Sequence, residues 1–236
     1  MTQPSTNGAT PASSGLTPAQ GNRLDPWFDA YAERAHNLRE SEIRALFSVV
    51  SRPEVVSLAG GMPNLKDLPL DKLAASAEKL VRNHGAQAMQ YGSGQGWEVL
   101  RERITEVMTY DGIVGADPDD VVVTTGSQQA LDLVTELFVN PGDVILAEAP
   151  SYVGALGVFR ARQADVVHVP MDEHGIIPEA LVETIRDVRA SGRTIKFIYI
   201  IPNYHNPAGV TLSAERRPII AEICLREHVL IVEDNP

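Results

Sequence analysis

The sequence has 236 residues, 44% of them apolar and 22% charged, enough to bury the core of one large domain, or of one domain plus part of another. A formal charge of -11 without any Lys/Arg cluster excludes a nucleic-acid footprint and an attraction to anionic membrane, leaving small-molecule chemistry. No stretch reaches the roughly 20 apolar residues of a membrane helix, and the opening MTQPSTNGATPASSG lacks the basic start and apolar core of a signal peptide, so a cytoplasmic protein is expected.

Residues 1–22 are Thr, Ser, Pro, Gly, Ala and Asn with little to bury, and their composition predicts a flexible tail. From Ser41 the spacing of Ile43, Leu46, Phe47 and Val50 predicts a helix that Pro53 stops; the extended piece VVSLAGG follows. A second helix is predicted over 71–84, with Leu73, Ala77, Leu80 and Val81 inward and Gly85 at its end. A third starts near Trp97 and carries Leu100, Ile104, Val107 and Met108.

Past Asp117 the pattern alternates. Strand VVVTT at 121–125 precedes a helix over 127–139, strand VILAE a helix over 152–162, and strand VVHVP a helix over 178–189. Strand KFIYII then precedes a helix over 214–228, and VLIVE closes the series. Repeated βα units with near-continuous apolar strands predict an α/β protein, a mostly parallel sheet covered on both faces. No fixed-period repeat supports a solenoid.

Ligands of such sheets sit at the carboxyl ends of the strands, and the residues there carry the chemistry. The YGSGQGW stretch from Tyr91 lacks the G-x-G-x-x-G spacing and a preceding strand, which argues against a dinucleotide site. After VVVTT, Gly126 turns the chain into a helix opened by Ser127 and Gln128. Its free N–H groups could cradle a phosphate, or Ser127 could simply cap the helix, and these residues alone do not decide. Tyr152 follows the next strand, where a ring can lie flat against a planar ligand. Asn206 follows KFIYII in a loop that could be a mere turn, and Asp234 places a carboxylate after the last strand. The six histidines form no ligand-spaced cluster, so no metal is inferred. Cys224, the single cysteine, falls at an apolar helical position and reads as a packed thiol.

The stretches SEIRALFSVVSRPEVVSLAGGMP, QYGSGQG, TTGSQQALDL, EAPSYVGAL, NYHNPAG and VEDNP, in that order, resemble the fold-type I pyridoxal-phosphate aminotransferases of class I/II. Within them the sequence is most similar to the group containing 2-aminoadipate and kynurenine aminotransferases. The resemblance covers roughly 41–236 and implies a three-layer α-β-α fold. Residues 23–85 would then form an N-terminal arm and small-domain segment, and 86–236 an incomplete cofactor-binding large domain. It implies pyridoxal 5'-phosphate as cofactor, amino acids and 2-oxo acids as substrates, and a homodimer. By position, Ser127 and Gln128 resemble the residues that hold the cofactor phosphate, and Tyr91 the tyrosine reaching the neighbouring subunit's phosphate. Tyr152 matches the ring stacked on the pyridine, Asn206 the donor to the phenolic oxygen, and Asp234 the acid paired with the pyridine nitrogen. Ser41 and Arg44 match a helix near the substrate, and Gly60 and Gly61 the substrate cleft.

The resemblance also implies a Schiff-base lysine some tens of residues after Asp234. Lys66, Lys72, Lys79 and Lys196 are the lysines present, and none stands where it would be needed. The expectation is therefore an aminotransferase of which this chain is an N-terminal portion, inactive alone. Rival expectations are a lyase on the same fold, a sensor domain of a transcription regulator, and a bare scaffold piece with an open sheet edge.

Overall fold

The structure, a computed structural model, describes residues 67–235 together with 27, 30–37, 54–56 and 65. The predicted tail, the helix from Ser41 and the VVSLAGG glycines lie outside the described residues. Helix α1 spans Leu70–Ala88 and α2 Glu98–Met108. Helix α3 spans Ser127–Phe138, strand β1 Val144–Ala149 and α4 Val153–Ala161. Then come β2 (Asp165–Asp172), β3 (Gly175–Ile176), α5 (Pro178–Ala190), β4 (Ile195–Ile200), α6 (Arg216–Arg226) and β5 (Leu230–Glu233).

These strands form one five-stranded sheet in the order β3-β2-β1-β4-β5. The β2–β1, β1–β4 and β4–β5 pairs are parallel, and only the short β3 runs antiparallel to β2. Side chains alternate between the faces of a strand, so β1 divides its apolar residues between two cores. Val144 and Leu146 face α5 and α6, packing with Leu181, Ile185, Ile220 and Ile223. Ile145 and Ala147 face α3 and α4, packing with Leu131, Ala155 and Phe159. The result is the three-layer α-β-α arrangement, with β1 buried between the layers. Cys224 is a packed core residue, and burial pushes its thiol up to about 11.

Two expectations are corrected. Residues 121–124 form no strand and 125 is a bend; Val123 N–H donates to Gln95 O, and no strand among the described residues pairs with the segment. Apolar β-branched composition favours extension, but a strand also requires a neighbour for its backbone groups. The second correction concerns the predicted inward faces. Leu73, Leu80 and Val81 of α1 and Leu100 and Val107 of α2 are exposed, and the one buried residue of α2 is Arg101. Among the described residues no element covers those faces. The predicted helix end near Gly85 is a kink at His84, with helix resuming to Ala88.

The β2–β3 hairpin is tied to the start of α6. Arg216 donates to both carboxylate oxygens of Asp172 at 2.6 and 2.8 Å and to Gly175 O at 2.9 Å. This pairing holds the Asp172 carboxyl at about 2, below the usual carboxylate range. Gly175 has φ +91, and a Cβ there would stand 2.8 Å from Leu212 Cδ1 and 3.0 Å from Leu212 Cα. Gly175→Ala is therefore expected to destabilise the protein by about 1–3 kcal/mol, read as a lower urea midpoint at unchanged m-value.

Candidate active site at the carboxyl end of the sheet

The helix following β1 packs on one face of the sheet and the helix following β4 on the other. Adjacent parallel strands whose connections diverge in this way open a crevice at their carboxyl ends, where open α/β sheets place ligands. A buried carboxylate spans it. Glu148, the penultimate residue of β1 and 1% exposed, accepts a hydrogen bond from Ile201 N–H just past β4, at 2.7 Å. Its Oε2 also lies 3.0 Å from Nε2 of the equally buried His205, without the alignment of a hydrogen bond.

His205 holds the loop that carries Asn206. Its backbone N–H donates to Val210 O, its carbonyl accepts from Gly209 N–H, and its Nδ1 accepts from Ala208 N–H at 3.3 Å. Leu212 N–H donates to Pro202 O, and the Arg217 guanidinium bonds Leu212 O and Asn203 Oδ1, closing the loop base. Asn206 is exposed at its tip, and its side chain makes no hydrogen bond among the described residues.

Asp234, half-buried, is fixed at both ends. Its backbone N–H donates to Ile200 O at 2.9 Å, and its Oδ2 accepts from the Tyr199 hydroxyl at 2.6 Å. Oδ1 has no partner among the described residues. Burial first, and the Asp234 carboxylate second, drive the Tyr199 phenol far above its ordinary range, so this hydroxyl keeps its proton.

Tyr152 stands immediately before α4, half-buried, with its ring folded back over Gly154. A Cβ on Gly154 would meet the ring at 2.5 Å, so the ring's position depends on a residue without a side chain there. Gln128 Nε2 contacts Gly154 O at 3.5 Å, which brings the start of α3 beside Tyr152. Ser127 is the first helical residue after Gly126, and its hydroxyl makes no capping bond. The backbone N–H groups of Ser127 and Gln128 have no acceptor among the described residues. The capping alternative is thus not realised. The bidentate Arg162–Asp132 pair, with bonds of 2.9 and 2.8 Å, locks α3 against the chain after α4.

Tyr91 is fully exposed and lines a cavity of about 640 Å³ between α1 and α2, together with Leu80, His84, Trp97 and Arg101. No residue of the sheet end lines that cavity. Ser41, Arg44, Gly60 and Gly61 lie outside the described residues. Lys196, near the start of β4, is paired with Asp143 at 3.3 Å, at the opposite end of the sheet from Asp234. No cluster of His, Cys, Asp and Glu among the described residues could hold a metal ion, and no helix among them is long and apolar enough to cross a membrane.

The sequence pointed to Ser127, Gln128, Tyr152, Asn206 and Asp234 as candidates and did not point to Glu148, Tyr199 and His205, which the structure places against or beside them. One signal was available: Glu148 is the lone acid in an otherwise apolar strand.

The model of the family described as aminotransferase class I and II matches residues 53–235. Aromatic-amino-acid aminotransferase 1 of Thermococcus litoralis is 37% identical over 206 residues, covering 87% of this chain and 49% of that protein. The Pyrococcus horikoshii kynurenine aminotransferase, solved in complex with PMP, KYN as substrates and KYA as products, superposes with a TM-score of 0.83. It is 33% identical, over 91% of this chain and 53% of that one. The α-aminoadipate aminotransferase of Thermus thermophilus, complexed with N-(5'-phosphopyridoxyl)-L-leucine, gives 0.76 at 32% identity, over 89% and 50%. The chain spans about half the length of the curated relatives it matches.

Removing the Glu148 carboxylate would leave Ile201 N–H buried without an acceptor. Glu148→Ala is expected to cost about 3 kcal/mol of stability and Glu148→Gln, which keeps one acceptor, distinctly less, in urea unfolding of the protein.

Proposed function

This chain belongs to the aminotransferase class I and II family, and from that premise we propose that the protein moves an amino group from an α-amino acid to a 2-oxo acid, with pyridoxal 5'-phosphate as its cofactor. The observation that carries the reading is Asp234, a carboxylate clamped by Tyr199 and by its own backbone at the sheet end with one oxygen unengaged. The surrounding donor set fits that cofactor. Free N–H groups open α3, an aromatic ring precedes α4, and an amide tips the loop after β4.

In this reading the Ser127 and Gln128 N–H groups hold the phosphate at the positive end of the α3 dipole. Tyr152 lies against the ring, Asn206 donates to the phenolic oxygen, and Asp234 keeps the pyridine nitrogen protonated. The cofactor, when bound, supplies an electron-accepting ring for the electron pair left at the substrate α-carbon. Asp234 maintains that capacity, and Asn206 fixes the opposite edge. Tyr91, fully exposed, is free to reach a neighbouring subunit's phosphate in a homodimer. Ser41, Arg44, Gly60 and Gly61 are assigned to the amino-acid substrate. The names of the relatives support an aromatic amino acid, kynurenine or 2-aminoadipate as donor, and 2-oxoglutarate is proposed as acceptor. We place the activity in cytoplasmic amino-acid metabolism.

The test is glutamate formation by the full-length protein from 2-oxoglutarate with each donor in turn. Release of ammonia and pyruvate without need of a 2-oxo acid would replace transamination by elimination. Asp234→Ala is expected to preserve the fold, read by circular dichroism, while lowering turnover on the order of 10²–10³-fold.

A further inference from the structure

Resting on the cofactor reading above, we propose that Tyr199 is a positioning residue, which holds the Asp234 carboxylate in the orientation that the pyridine nitrogen requires. Tyr199 belongs to β4 and is fully buried among apolar side chains. The Phe159 ring meets it edge-on at 5.5 Å and 76°, and a second edge contact at 5.8 Å ties Phe159 to Phe197. A phenylalanine would satisfy that packing equally well. The hydroxyl is therefore the informative atom: buried, it must find a partner, and its one partner among the described residues is Asp234 Oδ2, at 2.6 Å.

A hydroxyl donating to an ionised carboxylate makes a short, strong bond and restricts its rotation. With Oδ2 held by Tyr199 and the backbone held by Ile200 O, the remaining oxygen is left to accept a proton-bearing nitrogen. Supporting groups of this kind fix the geometry of a ligand-contacting residue and raise its selectivity for one ligand state. Burial first, and the adjacent Asp234 carboxylate second, push the phenol well above its ordinary range, so the hydroxyl keeps its proton as donor.

Tyr199→Phe removes the donor and keeps the ring, so the test uses binding rather than turnover. Affinities of the full-length protein for pyridoxamine 5'-phosphate, and for its analogue with CH in place of the ring nitrogen, are measured by fluorescence titration well below Tm. The expected result is about ten-fold weaker binding of pyridoxamine 5'-phosphate by Tyr199→Phe with affinity for the CH analogue unchanged. On an Asp234→Ala background the Phe substitution should change neither affinity. Equal weakening of both ligands would mean that Tyr199 only packs, and unchanged affinity for both would mean that the hydroxyl does nothing; either result overturns the proposal alone. Wild-type protein that binds neither ligand would overturn the cofactor reading and this proposal with it.

Discussion

The architecture turns on one buried carboxylate. Strand β1 lies in the middle of the sheet with all but its last residue buried, and its penultimate residue is Glu148. A carboxylate removed from water costs several kcal/mol unless polar partners replace the lost solvation. The partners it finds are Ile201 N–H and His205, both just past the end of β4. The acid therefore joins the two strands across the crevice where their connections diverge. It also lies against His205, which holds the loop carrying Asn206 at its tip, so packing and site geometry share a single constraint.

The remaining supports follow the same logic. Each group at the sheet end is attached to a core element through a second residue. Asp234 is attached through Tyr199 of β4, and Asn206 through His205 and Glu148. The start of α3 is attached through Gln128 to the chain beside Tyr152 and through Asp132 to Arg162. Tyr152, Asn206 and Asp234 themselves lie just outside the strands and helices, and it is these contacts with core elements that fix them, as a preorganised site demands.

Most of the fold was legible because its signals are local. Four apolar runs bounded by turns became β1, β2, β4 and β5 within one or two residues of their predicted ends, and the helices between them matched similarly. The errors arose where local composition is blind to partners. Residues 121–125 have strand composition but no ladder, and the apolar stripes of α1 and α2 have no covering element among the described residues. The candidate groups Tyr152, Asn206 and Asp234 stood out as residue types just past strand ends. The supporting groups did not, because Tyr199 within KFIYII reads as a core aromatic. Its role follows only from register. Tyr199 pairs with Val232, and two residues beyond Val232, on the same face, stands Asp234.

The polarity of the site follows from the same register. The N–H groups opening α3 lie on the β1 side of the crevice, beside the chain entering α4. The Asp234 carboxylate lies at the end of β5, with β4 between. Two strand spacings separate β1 from β5, roughly 10 Å, a distance that one substituted aromatic ring can bridge. A ligand with its anion at the carboxylate would meet repulsion, whereas one with its anion at α3 and a protonated nitrogen at Asp234 meets favourable partners at both ends. The α3 N–H groups open a helix packed on the sheet, and the Asp234 carboxylate is held by Tyr199 of β4, so the two sides of the crevice differ in polarity and favour one orientation of a ligand charged at both ends.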